Sequence, residues 1–286
     1  MTLAHARDLV ADAADRGTAI GAFNVIHLET AEALVRGAEA AGLPVILQIS
    51  QNCADYHGAL APIGAATLAV ADAAAVPVAV HLDHAEREEL VAEAIALGFG
   101  SVMFDASTHP YRENVGATAR VVAAAHAAGV SVEGELGEIG GKDGAHAPGV
   151  RTDPDEARDF VAATGVDALA VAVGSSHAMT SRTAHLDLER IARLRAGLDV
   201  PLVLHGSSGV PDEVLAAAIR AGMTKINVST HLNGFFTRAV RSALDGDPAT
   251  VDSRRYVSAG RAAVAVEAER LLRLFALQTQ PLRAAS

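Results

Sequence analysis

The sequence predicts an α/β protein: a single (β/α)8 barrel of the TIM type that spans residues 1–286 and includes a C-terminal helical extension. The first observation is that short β-branched strands alternate with Ala-rich helical stretches, which is typical of a parallel sheet. The second is that eight such units fit within 286 residues, and no linker or low-complexity stretch divides them. A hydrophobic content of 50% is sufficient for one large core.

The units follow one another in regular order. The predicted strands cover residues 19–24, 44–50, 78–83, 101–105, 131–136, 168–174, 202–205 and 225–229. After a first amphipathic helix, the predicted helices cover residues 30–41, 64–75, 87–97, 114–128, 155–164, 188–196 and 212–221. Gly42 and Gly129 each follow two alanines and precede a strand, as expected of glycine at a helix C-terminus.

Composition excludes several classes of partner. A formal net charge of −11 argues against a nucleic-acid-binding surface, although local donors can still hold a small polyanion. Cys53 is the single cysteine, so no internal disulfide can form, which fits a reducing compartment. The N-terminal stretch carries charges throughout, unlike a signal peptide or a membrane span. We therefore expect a cytoplasmic protein that binds neither membrane nor nucleic acid.

Three histidines follow separate predicted strands, namely His84, His177 and His205. Because barrel enzymes place their chemistry on the loops after the strands, we expect these imidazoles to converge. Three converging imidazoles without nearby cysteines are typical of a catalytic zinc that keeps one position open. Each histidine taken alone is more simply a surface or hydrogen-bonded residue. Asp83 precedes His84, and we predict that the strand ends near Asp83; taken alone, this carboxylate is a helix N-cap.

Two small-residue turns suggest an anion site. Gly206, Ser207 and Ser208 follow the seventh predicted strand and lead into a helix. A second such stretch follows the eighth strand and comprises Asn227, Val228, Ser229 and Thr230. Barrel enzymes often bind phosphate with the loops after strands seven and eight, through backbone N–H groups and hydroxyls. Asn24 and Ser50 are further polar strand ends assigned to substrate binding.

The ordered motifs resemble those of a known family. They are Ala22-Phe23-Asn24, His81-Leu82-Asp83-His84, Ser131-Val132-Glu133, His177, Leu204-His205-Gly206-Ser207-Ser208-Gly209, Lys225-Ile226-Asn227-Val228 and Ser253-Arg254. Together they cover nearly the whole chain and resemble the class II, metal-dependent ketose-bisphosphate aldolases, particularly the shorter tagatose-bisphosphate type.

The resemblance implies roles for individual residues. His84, His177 and His205 would bind one zinc ion, and Asp83 would be the proton donor. Asp105 and Glu133 would be secondary or alternative metal carboxylates. Dihydroxyacetone phosphate would be held by the backbone at Ala178 and by the two small-residue turns.

The resemblance also assigns two residues outside these turns. Arg254 would reach a neighbouring subunit and grip the second phosphate, which implies a homodimer or homotetramer. Asp143, in the Gly-rich loop at residues 137–149, would exchange the proton of dihydroxyacetone phosphate, with Glu138 as the alternative.

Three positions depart from the family pattern. Ala178 stands where the family has glycine, so a close backbone approach to phosphate and to a monovalent cation is less certain. Ser229 replaces the aspartate of many fructose-bisphosphate enzymes, which favours the tagatose type or another sugar. Asp143 is one methylene shorter than the glutamate of relatives.

Alternative functions remain open at this point. The same scaffold serves a phosphorylated deoxy-dehydrogluconate in inositol breakdown. A zinc hydrolase would normally carry a His pair on the first strand, where this chain has Phe23-Asn24. A Schiff base at Lys225 would leave the three histidines without a role, and a non-catalytic sugar-phosphate-binding barrel would leave Asp83 without one.

Overall fold

The computed structural model describes residues 3–137 and 150–278. Eight parallel strands form a closed barrel in the order β1-β2-β3-β4-β5-β6-β7-β8, which confirms the predicted fold. The strands are β1 Ile20–Asn24, β2 Val45–Ser50, β3 Val78–Ala85, β4 Ser101–Phe104, β5 Ser131–Leu136, β6 Ala168–Val171, β7 Leu202–Leu204 and β8 Met223–Val228.

Helices surround the barrel and alternate with its strands. They are α1 Ala6–Asp15, α2 Leu28–Ala41, α3 Gln51–His57, α4 Leu60–Asp72, α5 Glu88–Leu97, α6 Tyr111–Ala127, α7 Pro154–Thr164, α8 Leu188–Gly197, α9 Asp212–Ala221, α10 Thr230–Gly246 and α11 Ser253–Phe275. None of the helices in the described part of the chain combines the length and the apolar character that crossing a bilayer requires.

The sequence prediction missed one helix and misplaced several ends. Helix α3 follows β2 directly, because the Ser50 side chain accepts a hydrogen bond from Cys53 N–H and so caps the helix. Strand β6 ends at Val171, three residues early, so His177 lies on a long loop that leads to α8. Helix α4 begins four residues earlier than predicted, at Leu60.

The barrel interior is layered. At the N-terminal end of the strands, α1 packs against strand residues in one apolar cluster. The helix contributes Ala6, Val10 and Ala13, and the strands contribute Ile20, Ala22, Ile46 and Ala79. Met103, Ala170 and Val203 form a small apolar cluster of their own. Gln48, Asp83, Glu133, Glu135 and Asn227 are buried polar residues of the strands. The apolar packing therefore closes one end of the barrel and leaves the chemistry at the other.

Strand β3 does not end at Asp83 as predicted, but continues to Ala85 through an irregularity. Its register with β4 shifts between Leu82 and Ala85, and His84 has a φ of 48°. Because side chains of a regular strand alternate, Asp83 and His84 would otherwise point to opposite faces. The left-handed conformation at His84 lets both side chains reach the same end of the barrel.

The C-terminal helix α11 is tied to α10 and α9 by a buried charge network. Glu267, 5% exposed, accepts hydrogen bonds from His231 Nε2 at 2.6 Å and from the Arg270 guanidinium. Arg270 also pairs with Asp212 at 2.6 Å. Burial alone would raise the pKa of Glu267, but hydrogen bonds from His231 and Arg270 outweigh it and lower the pKa to about 2.

We expect Glu267 to contribute to acid stability. Since its folded pKa is depressed, its contribution is present above the unfolded value of 4.5 and is lost as pH falls towards about 2. Between pH 5 and pH 3.5, the free energy of unfolding of the wild type should fall by about 1 kcal/mol more than that of Glu267→Gln. Urea titrations of both proteins at the two pH values measure this difference, and equal pH slopes would contradict it.

Candidate active site

A cavity of about 390 Å³ opens at the C-terminal end of the strands. It is lined by Asn24, Gln48, Ser50, Gln51, Asn52, Asp83, His84, Glu86, His177, Ala178, His205, Gly206, Ser208, Asn227, Ser229 and Thr230. Twelve of these residues are site residues expected from the sequence, so six strand or loop segments that are far apart in the chain meet here.

The three predicted histidines converge at the floor of this cavity. The ring centroids of His84 and His205 are 4.5 Å apart, and those of His84 and His177 are 5.0 Å apart. One nitrogen from each ring lies within 4.8 Å of the others, and His205 Nδ1 is 2.8 Å from His84 Nε2. Ligands around a tetrahedral ion with bonds of about 2.0–2.1 Å are roughly 3.3 Å apart, so the spacing suits a small metal ion.

Two buried carboxylates orient the rings. Asp105 Oδ2 lies 2.8 Å from His84 Nδ1, and Glu133 Oε1 lies 2.8 Å from His205 Nε2. Since an ionised carboxylate only accepts, these two nitrogens carry the protons. His84 Nε2 and His205 Nδ1 then present lone pairs to each other at 2.8 Å, and a cation bound by both nitrogens would relieve their repulsion. This tautomer pattern is that of metal-ligating histidines, whose other N–H is held by a carboxylate.

Asp105 and Glu133 therefore lie behind the imidazoles and do not line the cavity. Asp105 also belongs to a second group that could hold a metal, with His84 and Glu135. Glu135 Oε2 is 4.0 Å from His84 Nδ1, and Glu135 Oε1 accepts a hydrogen bond from the Ser107 hydroxyl.

Asp83, 3% exposed, is surrounded by side-chain amides. Asn24 and Gln48 each donate to Asp83 Oδ2 at 3.2 Å, and Asn227 donates to Oδ1 at 3.4 Å. Burial raises the pKa of Asp83, but the nearby His84 and His205 outweigh burial and the net pKa is lowered. Asp83 is thus held as a carboxylate with a fixed direction next to the imidazoles.

The turns after β7 and β8 form one wall of the cavity. Gly206 has a φ of 65°, and a Cβ there would lie 2.6 Å from the Ser176 carbonyl carbon, so only glycine lets the two loops approach. Ser208 Oγ accepts a hydrogen bond from His231 N–H in the first turn of α10. The N-terminus of α10 therefore faces a wall of small residues and hydroxyls, an arrangement that suits an anion.

Ala178 lines the cavity with a φ of 58°, in the left-handed region that favours glycine. The replacement of glycine by alanine at this position has not removed the backbone turn. The turn is retained at the cost of strain.

Several expected residues are not brought to the cavity. Ser207, 2% exposed, donates its hydroxyl to the Asn227 carbonyl, and Val228 is buried in β8. The two turns contribute through their other members, and the hydrogen bond of Ser207 joins the two turns. Arg254 lies at the start of α11 with 88% of its side chain exposed, and it pairs with Asp252. Asp143 and Glu138 lie outside the described residues.

Four lining residues were missed by sequence reasoning, namely Gln48, Gln51, Asn52 and Glu86. Gln48 lies two residues before Ser50 on β2, so strand alternation could have identified it. Gln51 and Asn52 belong to the unpredicted helix α3, and Gln51 Oε1 accepts from the N–H of Glu86 at 2.9 Å. This contact between the start of α3 and the segment after β3 leaves no signal in the sequence.

Lys225, the candidate Schiff-base residue, is 2% exposed and does not line the cavity. Its ammonium group lies 2.7 Å from Glu133 Oε2. A lysine that is paired with a carboxylate outside the cavity lining cannot reach a substrate carbonyl, so the geometry does not favour Schiff-base chemistry.

A closed parallel barrel with convergent imidazoles at the C-terminal ends of its strands is typical of a barrel enzyme, and these imidazoles could hold a metal ion. Comparison with known proteins identifies the family to which this chain belongs. Residues 4–280 match the family described as "Fructose-bisphosphate aldolase class-II". The chain therefore belongs to this generally metal-dependent family and is an aldolase, a carbon–carbon lyase.

Individual relatives agree with this assignment. A fructose-bisphosphate aldolase of Geobacillus stearothermophilus is 40% identical, over 92% of this chain and 93% of the relative. A 6-phospho-5-dehydro-2-deoxy-D-gluconate aldolase of Shouchella clausii is also 40% identical, over 93% and 92%. The crystal structure of the YdjI aldolase from Escherichia coli K12 superimposes with a TM-score of 0.85 at 33% identity, over 96% of this chain and 97% of that one.

We expect Ala178→Gly to stabilise the protein. Glycine adopts a φ of 58° without the clash that Cβ causes, so the free energy of unfolding should rise by about 0.5–1 kcal/mol despite the greater freedom of the unfolded chain. Chemical denaturation of the metal-free protein measures this change. Ala184→Gly, in the same loop but without a positive φ, is the matched control and should destabilise. Destabilisation by both variants would contradict the prediction.

Proposed function

We propose that the protein is a cytoplasmic, zinc-dependent aldolase that reversibly cleaves a ketose 1,6-bisphosphate, tagatose or fructose 1,6-bisphosphate, to dihydroxyacetone phosphate and glyceraldehyde 3-phosphate. The observation that carries the proposal is the approach of His84 Nε2 and His205 Nδ1 to 2.8 Å, with Asp83 beside them in the same cavity. His177 supplies the third nitrogen, and three imidazoles leave one position open for substrate.

In this proposal, zinc held by the three imidazoles supplies Lewis-acid stabilisation of the negative charge that develops on the substrate ketone and hydroxyl oxygens. Asp83 takes the proton of the C4 hydroxyl as the bond between C3 and C4 breaks, and it returns that proton to the aldehyde in the synthetic direction. Its place in the cavity beside the imidazoles and its fixed direction among the amide donors support the role of base in cleavage.

The bond electrons leave on the dihydroxyacetone phosphate fragment as an enediolate, whose C3 then takes up a proton. We assign this second proton transfer to Asp143, with Glu138 as the alternative, both in the chain segment after β5. The phosphate of the dihydroxyacetone fragment would lie against Gly206, Ser208, Ser229 and Thr230, where α10 begins.

A bisphosphate needs a second cationic site, and the charge of the cavity supports a contribution from another subunit. The described residues that line the cavity include neither lysine nor arginine. Arg254 is exposed, and a planar guanidinium can bind phosphate with two parallel hydrogen bonds. We therefore propose a homodimer or homotetramer in which Arg254 of one subunit binds the distal phosphate in its neighbour. We also propose a monovalent cation near Ala178, because the backbone there keeps its left-handed turn.

A second substrate has comparable support. The relative named as a 6-phospho-5-dehydro-2-deoxy-D-gluconate aldolase is as similar as the fructose-bisphosphate aldolase, at 40% identity. Cleavage of both ketose bisphosphates and of this acid, measured side by side with coupled assays, decides between them. Chelator should abolish the activity, and zinc or cobalt should restore it. Activity in fully chelated protein, or a borohydride-trapped adduct at Lys225, would refute the proposal.

We expect Asp83→Asn to lose turnover without losing metal. Asparagine has the same size but cannot accept and return a proton, so kcat should fall by roughly 10²–10⁴-fold. Metal content, measured by atomic absorption, should stay at the wild-type level. Loss of bound metal together with turnover would instead assign Asp83 a structural role.

We expect Arg254→Ala to discriminate between two reactions. Cleavage of the bisphosphate should lose efficiency, because the distal phosphate loses its cation, whereas proton exchange on dihydroxyacetone phosphate alone should be retained. Arg255→Ala, which alters the neighbouring exposed arginine, is the matched control. An equal loss in the two reactions would argue against contact with the distal phosphate.

A further inference from the structure

A line of buried polar side chains runs beneath the metal-binding centre and is not used by the proposed chemistry. Lys225 Nζ lies 2.7 Å from Glu133 Oε2 and 3.4 Å from His81 Nε2. The other oxygen of Glu133, Oε1, lies 2.8 Å from His205 Nε2. All four side chains are at most 4% exposed. Lys225 therefore contacts Glu133 directly, and Glu133 in turn holds His205, a proposed metal ligand.

The choice of lysine rather than arginine at position 225 is informative. The sequence contains two lysines, Lys142 and Lys225, and its other cationic side chains are arginines. An ammonium is compact and presents three donors, whereas a guanidinium is a broad planar fork. The position between Glu133 and His81 inside the barrel suits the compact group.

The directions of the hydrogen bonds follow from the groups themselves. The Lys225 ammonium can only donate, and the Glu133 carboxylate can only accept. His81 Nε2 must then accept, so its proton is on Nδ1, which lies 2.8 Å from Ser101 Oγ. Burial lowers the pKa of His81 well below its usual value, and the nearby Lys225 adds to this effect, which agrees with a neutral ring.

We propose that Lys225 is a positioning residue of the metal centre: it holds Glu133 in the orientation that fixes the His205 tautomer and directs His205 Nδ1 to the ion. The inference rests on the proposed metal-dependent function. Lys225 occupies one carboxylate oxygen and leaves the other for His205. Without this counter-charge, Glu133 would be a buried anion with one neutral partner, and it would turn away from His205. That change removes the acceptor that keeps the His205 proton on Nε2.

The surroundings of Lys225 allow a substitution to remove its charge while its packing is kept. A second cavity, of about 130 Å³, reaches Lys225 from the N-terminal end of the barrel, and His81, Ser101 and Glu133 also line it. Because Lys225 lies at a cavity wall, Lys225→Met keeps the length of the side chain and removes only its charge and donors. Glu133→Gln keeps an acceptor for His205 and removes the anion.

The test is a double-mutant cycle read out by metal affinity. Co²⁺ binding to the full-length apoprotein is measured by chelator competition and by the cobalt absorption spectrum. Lys225→Met should weaken Co²⁺ binding by roughly 10–100-fold and change the spectrum. In the Glu133→Gln background, the same lysine change should alter affinity by less than about 3-fold. Thr224→Val, at a buried neighbour in β8, is the matched control and should bind as the wild type does.

The outcomes separate this inference from the proposed function. Wild-type affinity in Lys225→Met, or an equal loss in both backgrounds, overturns the positioning role and leaves metal dependence intact. If Lys225→Met does not fold, the comparison within the Glu133→Gln background decides, and a loss above 3-fold overturns the role. A wild-type protein that binds no Co²⁺ refutes the proposed function itself.

Discussion

The backbone conformation of His84 is the constraint on which the site depends. A φ of 48° costs a non-glycine residue energy, and it coincides with the register shift between β3 and β4. In return, consecutive side chains with different tasks face one cavity. Asp83 meets the amides of β1, β2 and β8, while His84 meets His177 and His205. A regular strand would offer only one of the two.

The remaining parts of the barrel hold these groups in direction. In two of the three rings, the nitrogen that faces away from the centre has a carboxylate, Asp105 for His84 and Glu133 for His205. Glu133 in turn is paired with Lys225, so the order of the centre extends down the barrel axis. Below that level, α1 and small apolar side chains close the barrel. The interior thus changes from apolar packing to buried charge to an open cavity along one axis.

The charge of the cavity bears on how the proposed bisphosphate would be bound. The protein carries a net charge of −11, and the described lining of the cavity provides backbone N–H groups, amides and hydroxyls but neither lysine nor arginine. Such a lining suits one phosphate at the start of α10. A second phosphate would need a cation from elsewhere, which is consistent with an exposed Arg254 whose present partner is Asp252.

The sequence by itself determined the barrel and most of the residues at its open end. The alternation of strands and helices gave all eight strands within a few residues, because the periods of apolar residues are local properties of the chain. Polar residues after strands could be gathered into one site, because parallel strands of a barrel all end at the same face. His84, His177, His205 and Asp83 were found in this way.

Only the tertiary structure decided what faces what. The register shift in β3 and the approach of Gly206 to Ser176 depend on neighbouring segments that are distant in sequence. The same holds for the partners of Glu133, because a carboxylate in a strand gives no local sign of whether a metal, an imidazole or an ammonium will meet it. The register between strands and the packing of loops determine these contacts. Neither produces a periodic pattern of residues that could be recognised in a single sequence.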